Sequence, residues 1–555
     1  MNKLKNASSS NLSNDKYGYD LVIATTQNSI NSTAKHYLSK LEKKSVSVGR
    51  FKVTYFENDK ENSKLVTYEE LKKQFTDGHE LFNIPNGDKS SEIFNILEKN
   101  NVDEISGFTA KLGLPKKNWN KKKDNIIELL DYKQVKYKLT CYEFNILSYK
   151  TTRHGFEWGN VAQGDSKHKK PWIFVVKVPL KDIAHKEGHL PDPVKNQTST
   201  LTPGTFSVQK LILDLDKCFL HESPTIEGLD KESDEYTFLM EHFINGYIEG
   251  LKKNGGAILD YKINHFKKPE KSSLFITDIN MNSKLNEADS GISTLCYLGT
   301  TDGKKPKSLS DFDWYWVDDK TTKGVMAVNR LQFAKILAKE ILPVVQDCCF
   351  SVGAKVKNHH TSGADYTISA TWPHSPDSIE YLSTGNTIVK MCWSSEADAK
   401  DDGWVSENRL KIECNFDVHI KFEGKQITVV RHLKFFIKLD NSDKKKGYPV
   451  DTTITDVYDL SINGEGMIIL QKHSSNKDEQ GKPLPSHWWS GLNNVTDSFS
   501  KWIKNLADSE LHNINLDSLG NFYFPGGNVF AFKNPRFSDH QDLLAEISYS
   551  NPIVD

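Results

Sequence analysis

Residues 409 to 439 alternate apolar and polar side chains almost without a break. Leu410, Ile412, Cys414, Phe416, Val418, Ile420 and Phe422 share one face, and Lys411, Glu413, Asn415, Asp417, His419 and Lys421 share the other. After Gly424-Lys425 the alternation resumes through Ile427, Val429, Leu433, Phe435, Ile437 and Leu439. A period of two is that of a strand with one buried face. Glycine at the first central position of a two-residue loop suits a type II′ hairpin turn. That turn sets Phe422 opposite Ile427, Ile420 opposite Val429, Phe416 opposite Leu433 and Ile412 opposite Ile437, with Asp417 facing His432 on the polar side. Each arm has about 13 residues, roughly 43 Å at ~3.3 Å per residue. Strands that long curl, and something apolar must lie along their concave face. Arg431 interrupts that face.

Elsewhere the periods change. A short apolar strand, Leu21 to Ala24, precedes Thr25 and Thr26, which can cap a helix carrying Ile30, Ala34, Tyr37, Leu38 and Leu41 on one side. The stretch 51–134 is mixed, with helical spacing near 68–75, 90–99 and 124–131, and 42–145 reads as a peripheral insertion. Strands dominate from 135 to 217. A helix over 233–253 buries Tyr236, Met240, Phe243, Tyr247, Ile248 and Leu251, and Asn254-Gly255-Gly256 stops it. Strands follow at 257–266, 273–279 and 292–299. Residues 324–347 repeat the opening design: a strand, a polar residue, then a helix with Ala334, Leu337, Ala338, Ile341 and Val345 inward and Pro343 kinking its last turn. Strands fill 350–470, a helix spans 488–506, and "FYFPGGNVFAF" closes the chain as a hairpin. The helices at 329–347 and 488–506 are about 28 Å long at ~1.5 Å per residue, shorter than the ribbon they would cover. This is no alternating βαβ order, so a doubly wound nucleotide fold is disfavoured.

Long twisted antiparallel strands around long helices describe the tubular lipid-binding (TULIP) superfamily. "YGYDLVIATTQNSINSTAKHYL" resembles the strand-helix opening of the OrfX-type and forty-seven-kilodalton-type proteins of clostridial neurotoxin gene clusters. "TFSVQKLILDLD", "DEYTFLMEHFINGYIEGLKK" and "GVMAVNRLQFAKILAKEILPVV" are similar to later segments of the same proteins, in the same order. The resemblance implies an α+β fold of elongated, curled antiparallel sheets in two TULIP-like modules, no catalytic chemistry, lipid or phosphoinositide as ligand, and co-encoded toxin components as partners. The expected division is a disordered tail over 1–16, a first module over 17–320 and a second over 321–555.

Bulk properties narrow this further. The 555 residues carry 72 basic and 73 acidic side chains, a net charge of −1, so no whole-protein field recruits nucleic acid. No run reaches the ~20 apolar residues that span a bilayer, and the N-terminal stretch lacks a secretory apolar core. A cytoplasmic or leaderless-secreted protein is the expectation. Seven cysteines without CxxC spacing argue against a disulfide framework and read as buried thiols. The sequons at Asn31 and Asn494 then stand idle.

Chemical signatures are sparse. His359-His360 has no third ligand at zinc-site spacing, and Asp214 and Asp216 share a strand face that is either an outward polar face or a paired-carboxylate site. GxSxG, HExxH, GxxxxGK[ST] and GxGxxG are all missing. No enzyme activity, cofactor or metal is expected. Lys116, Lys117, Trp119, Lys121, Lys122 and Lys123 form a basic cluster with an aromatic anchor, fit for an anionic membrane surface or for a solvated loop. Trp314, Tyr315 and Trp316, like Trp488-Trp489, are either interfacial anchors or buried sheet edges. The ligand site expected from the ribbon is Ile412, Phe416, Ile420, Leu433, Phe435 and Ile437, an apolar guest lying between helix and curled sheet. The rival readings are a protein-interaction scaffold or toxin-accessory protein with a packed lumen, and a pore former.

Overall fold

The computed structural model describes residues 6–120, 124–167, 169–184, 206–214, 217, 219–222, 230–232, 234–254, 256, 258–265, 276–301, 304, 311–359, 364–371, 374–402, 407–440, 445–464, 468–482, 514–515, 522–523 and 530–549. Five α-helices stand among them: α1 (Gln27–Lys43), α2 (Tyr68–Phe75), α3 (Ile93–Lys99), α4 (Asp234–Lys253) and α5 (Arg330–Asp347). The rest is mostly antiparallel sheet, so the fold is α+β, with curled sheets laid over helices.

The ribbon forms as its pattern demands. Glu407–Glu423 and Gln426–Asp440 pair with Phe422 opposite Ile427, Ile420 opposite Val429, Phe416 opposite Leu433, Ile412 opposite Ile437 and Asp417 opposite His432. Gly424 takes the positive φ (59°) that a primed hairpin turn needs. The strands have 17 and 15 residues, longer than expected, so the first spans about 56 Å at ~3.3 Å per residue. They lie inside a seven-stranded sheet with Thr387–Asp402, Lys445–Ile462 and Ile468–Glu479.

A six-stranded sheet joins distant parts of the chain. Its centre is Leu21–Thr26, paired with Thr294–Thr301 on one side and Gly324–Val328 on the other, and Leu543–Tyr549 and Phe530–Phe537 extend it. A division of the chain near residue 320 would run through this one hydrogen-bonded sheet. All six residues of Leu21–Thr26 are buried, which is why the segment reads as continuously apolar rather than alternating. One face meets the main core. The other is covered by Phe312, Trp314, Trp316 and Val317 and by residues of the N-terminal stretch. The two tryptophans are thus buried rather than presented to a membrane.

Residues 6–16, expected as a disordered tail, lie against this sheet. Ala7 and Leu12 are buried, and Ser10 Oγ and Leu12 N both donate to the Asp542 carboxylate, at 2.8 and 2.7 Å. The anchor is a buried carboxyl group more than five hundred residues away, which no local pattern announces.

The stretch 42–145 contributes most of a five-stranded sheet, Lys60–Val66, Ser47–Glu57, Val102–Leu112, Cys141–Thr152 and Gly155–Ala162 in that order. Helices α2 and α3 cover one face. Helix α4 covers the other, with Phe243 against Phe108 and Phe144 (ring centroids 5.7 and 4.8 Å) and Tyr247 Oη donating to Thr140 O at 3.1 Å. The helix expected near 124–131 is instead a short strand, Ile127–Leu129. Asn31 and Gln27 of α1 hydrogen-bond its backbone and hold it extended. Helix α5 runs on through Pro343 to Asp347. The expected helix over 488–506 and Trp488-Trp489 lie outside the described residues.

Candidate functional site

The six ribbon residues share one face, as expected, and the structure closes that face. Ile412, Ile420, Phe435 and Ile437 are 0% exposed, Phe416 and Leu433 2%. At such values almost none of the surface of these side chains is open to water. At the turn end, Phe422 stacks on Phe537 (4.6 Å) and meets Phe333 of α5 (5.3 Å). At the far end a second hairpin, Ser351–Asn358 with Ala364–Thr371, overlies the sheet: Val352 N donates to Ser395 Oγ and Asn358 N to Asp401. The helix is shorter than the ribbon, and the second hairpin covers part of the remainder.

Arg431 does enter this apolar face. Its guanidinium, 5% exposed, donates to Asp456 Oδ2 at 2.8 Å, and Lys472 Nζ lies 3.3 Å from Oδ1 of the same carboxylate.

An open helix–sheet seam lies elsewhere. A groove of about 640 Å³ runs between α4 and the edge of Ser47–Glu57. Lys60–Val66 pairs with that strand only from Phe51 onward, so Val46–Arg50 has a neighbour on one side alone. Val46 O accepts from Leu112 N at 2.8 Å, so by strand parity Ser47 and Gly49 turn their backbone groups toward the groove. Val46 and Val48 give it an apolar floor.

Gly246 and Gly250, four apart on α4, form the opposite wall. A Cβ on Gly250 would come within 3.0 Å of both Leu112 and Val48, so the helix sits close to the sheet there. A Cβ on Gly246 would meet only Val48, at 3.8 Å.

Arg50, Lys253, Glu69 and Glu249 rim the opening. Arg50 is held over it, donating to Gly49 O (3.0 Å) and to Glu249 (3.3 Å). Tyr68, at one end, has its phenol turned to Glu80 (2.9 Å), and burial together with that bond pushes the group up to about 12. The groove therefore offers an apolar strip, strand backbone that no neighbouring strand covers and a rim of mixed charge, which suits an amphiphile of extended shape. The insertion reading hid these residues, and glycines at i and i+4 on a helix were the available signal of close approach.

The basic cluster is only partly in view. Lys116 and Lys117 are exposed, Lys117 Nζ donating to Gly164 O at 2.9 Å. Trp119 is half-buried against the core with its indole nitrogen enclosed. Lys121, Lys122 and Lys123 lie outside the described residues. His359 Nε2 sits 2.8 Å from Asp365, and Asp214 is buried beside Lys217 (3.8 Å), while His360 and Asp216 are outside the described residues. Cys348 and Cys349 are buried, and burial pushes both thiols up to about 12. Among the described residues no helix is long and apolar enough to cross a membrane.

The fold and groove define a class: curled antiparallel sheets seated on helices, with an open helix–sheet seam. No family profile matches the chain, and no curated protein sequence matches it. Solved structures do. P47 from Clostridium botulinum A2 is similar at 10% identity with a TM-score of 0.43, over 96% of this chain and 98% of that one. A lipopolysaccharide binding protein is similar at 8% identity with a TM-score of 0.32, over 97% and 100%.

Proposed function

We propose that the protein binds lipid without catalysing a reaction, holding the apolar part of its ligand in the seam between α4 and the Ser47–Glu57 edge. One observation carries this reading: at that seam Val46 and Val48 floor a space of about 640 Å³ whose rim is charged, so both ends of an amphiphile find a partner. The ribbon residues, enclosed at 0–2% exposure, are then core. Membership of the tubular lipid-binding superfamily, phosphoinositides as the lipid and toxin components as protein partners belong to the same proposal and come from the resemblance alone.

Native mass spectrometry of the freshly purified full-length chain tests it. Lipid should accompany the wild type and be lost from Gly246→Leu, which fills the groove where space exists, with an unfolding temperature no lower than the wild type's. A wild type that carries no lipid and takes none from vesicles would defeat the reading. The closed ribbon favours a second one, a scaffold that binds protein with its lumen packed. A single protein partner retained by the lipid-free chain is its signature.

A further inference from the structure

The hairpin of Ser351–Asn358 and Ala364–Thr371 is amphipathic, and its cross-strand register shows how. Val352 stands opposite Ala370, Ala354 opposite Ile368 and Val356 opposite Tyr366, so these six side chains share one face. That face packs on the main core, whereas Lys355, Lys357, Asp365, Thr367 and Ser369 on the other are exposed.

The surface beneath it is the far end of the long sheet. Val352 N donates to Ser395 Oγ (3.0 Å) and Asn358 N to Asp401 Oδ2 (2.9 Å), the same spacing along both strands. The two strands therefore run in step, and Ala354 and Val356 pass above Ala397 and Ala399. Ala397 is paired with Ile412 and Ile412 with Ile437, while Ala399 is paired with Leu410 and Leu410 with Leu439. The two rows make an apolar trough, and on Thr387–Asp402 they carry only methyl groups, so another backbone can approach closely.

The fastening is polar and lies at one end. Asn358 Nδ2 donates to Asp401 O at 2.6 Å, its Oδ1 accepts from Asn408 Nδ2, and Tyr366 Oη donates to Asn408 Oδ1 at 3.2 Å. At the other end Phe350 is buried, and Trp393 Nε1 donates to its carbonyl at 3.2 Å. Between the two ends, among the described residues, no ladder of strand hydrogen bonds ties the hairpin down, and it forms a two-stranded sheet of its own. Only Val352 and Ile368 of its side chains are buried. A lone two-stranded hairpin is marginally stable, and an element with few buried apolar contacts opens below the cost of global unfolding. The hairpin is thus a cover with a fixed root and a polar latch.

We propose that the trough is a protein-docking surface, on which an amphipathic β-hairpin of a partner takes the place of the chain's own. The chemistry of recognition is already displayed: small apolar side chains at every second position and a carboxamide at the tip, set against Asp401 and Asn408. The proposal rests on the protein-binding reading and gives it a surface, and the α4 groove has no part in it.

A fluorescein-labelled synthetic peptide of residues 351–371, titrated into the full-length protein and followed by anisotropy, tests it. Saturable binding is expected. Asn358→Ala in the protein should tighten it at least about threefold, because affinity scales with the fraction of molecules whose cover is raised. The same replacement in the peptide should weaken it at least about tenfold, roughly 1.4 kcal/mol. Hydrogen exchange supplies a second readout: in the Asn358→Ala protein it should quicken at Val352 and hold at Ile412 and Phe416. Lys355→Ala, on the exposed face, should change neither measurement. A scrambled peptide that binds equally, a latch variant that binds no tighter, or a hairpin that exchanges only together with the ribbon would each overturn the proposal. A natural partner retained by the wild type that the peptide fails to displace would also overturn it, and would leave the protein-binding reading standing.

Discussion

The guanidinium of Arg431 and the carboxylate of Asp456 meet at 2.8 Å on the concave face of the long sheet, flanked by Val429 and Leu433 along the strand. Arg431 stands opposite Ile454, so the pair is diagonal, two residues off the cross-strand partner. A slip of the two strands would separate the charges and leave each buried in apolar surroundings. Replacing one partner leaves the other uncompensated, which typically costs about 3–5 kcal/mol. Arg431→Met should therefore lower stability by that order, and so should Asp456→Leu. The double replacement should recover most of the loss, because Lys472 is a quarter exposed and can turn to water. Urea unfolding of the four proteins reads this directly. Additive losses in the double variant would show that the ions do not act as a pair.

Helix α1 supports a strand through one side chain. Asn31 Oδ1 accepts from Ile126 N (2.6 Å) and Ile127 N (2.8 Å), and its Nδ2 donates to Ile127 O (2.7 Å) and Gln27 O (2.9 Å). It does the work of a neighbouring strand for Ile127–Leu129. Asn31→Ala strands buried backbone groups at about 1–3 kcal/mol each. Hydrogen exchange should speed up at Ile126 and Ile127, with a total loss on the order of 3 kcal/mol. Unchanged exchange there would refute the role. The same burial keeps a glycan off the Asn31 sequon.

These two pairs show what the sequence discloses and what it conceals. The ribbon's register was legible because a period of two and a two-residue turn admit one alignment. Arg431 was legible as an anomaly. Its partner was not, since Asp456 counts as inward only once the parity of Lys445–Ile462 is known. Residues 124–131 misled because Ile127 and Leu129 are held extended by side chains of α1, a contact some 95 residues away. The groove was hidden for a related reason. It exists because Lys60–Val66 stops short of Arg50, and the absence of a neighbour has no pattern of its own.

Gly246 and Gly250 should respond oppositely to enlargement. A methyl at 250 meets Leu112 and Val48 at 3.0 Å, and Gly250→Val must push α4 off the sheet, costing about 1–3 kcal/mol. A methyl at 246 has room, and Gly246→Ala should stabilise α4 by up to about 1 kcal/mol through helix propensity. Thermal melts of the two variants decide it. Equal effects would mean that the helix does not approach the sheet as seen.

Asp542 gives the protein a predictable response to acid. The carboxyl is fully buried and receives Ser10 Oγ, Leu12 N and Arg330 N. Burial pushes it up to about 6, and those hydrogen bonds oppose the rise without cancelling it. Between about pH 4 and 6 the folded chain therefore holds a proton that the unfolded chain has released. The stabilisation linked to that proton is fully present below about pH 4 and is lost as pH rises through about 6, on the order of 3 kcal/mol in all. Asp542→Asn removes the titration while keeping one acceptor. The stability of the wild type relative to this variant should grow as pH falls from about 7 to about 4.5, measured as paired unfolding midpoints. The N-terminal stretch supplies two of the three donors, so proteolysis near residue 12 should report the same dependence locally. A difference that shrinks on acidification would mean that the three hydrogen bonds outweigh burial and that the carboxylate, not the acid, is the form the fold prefers.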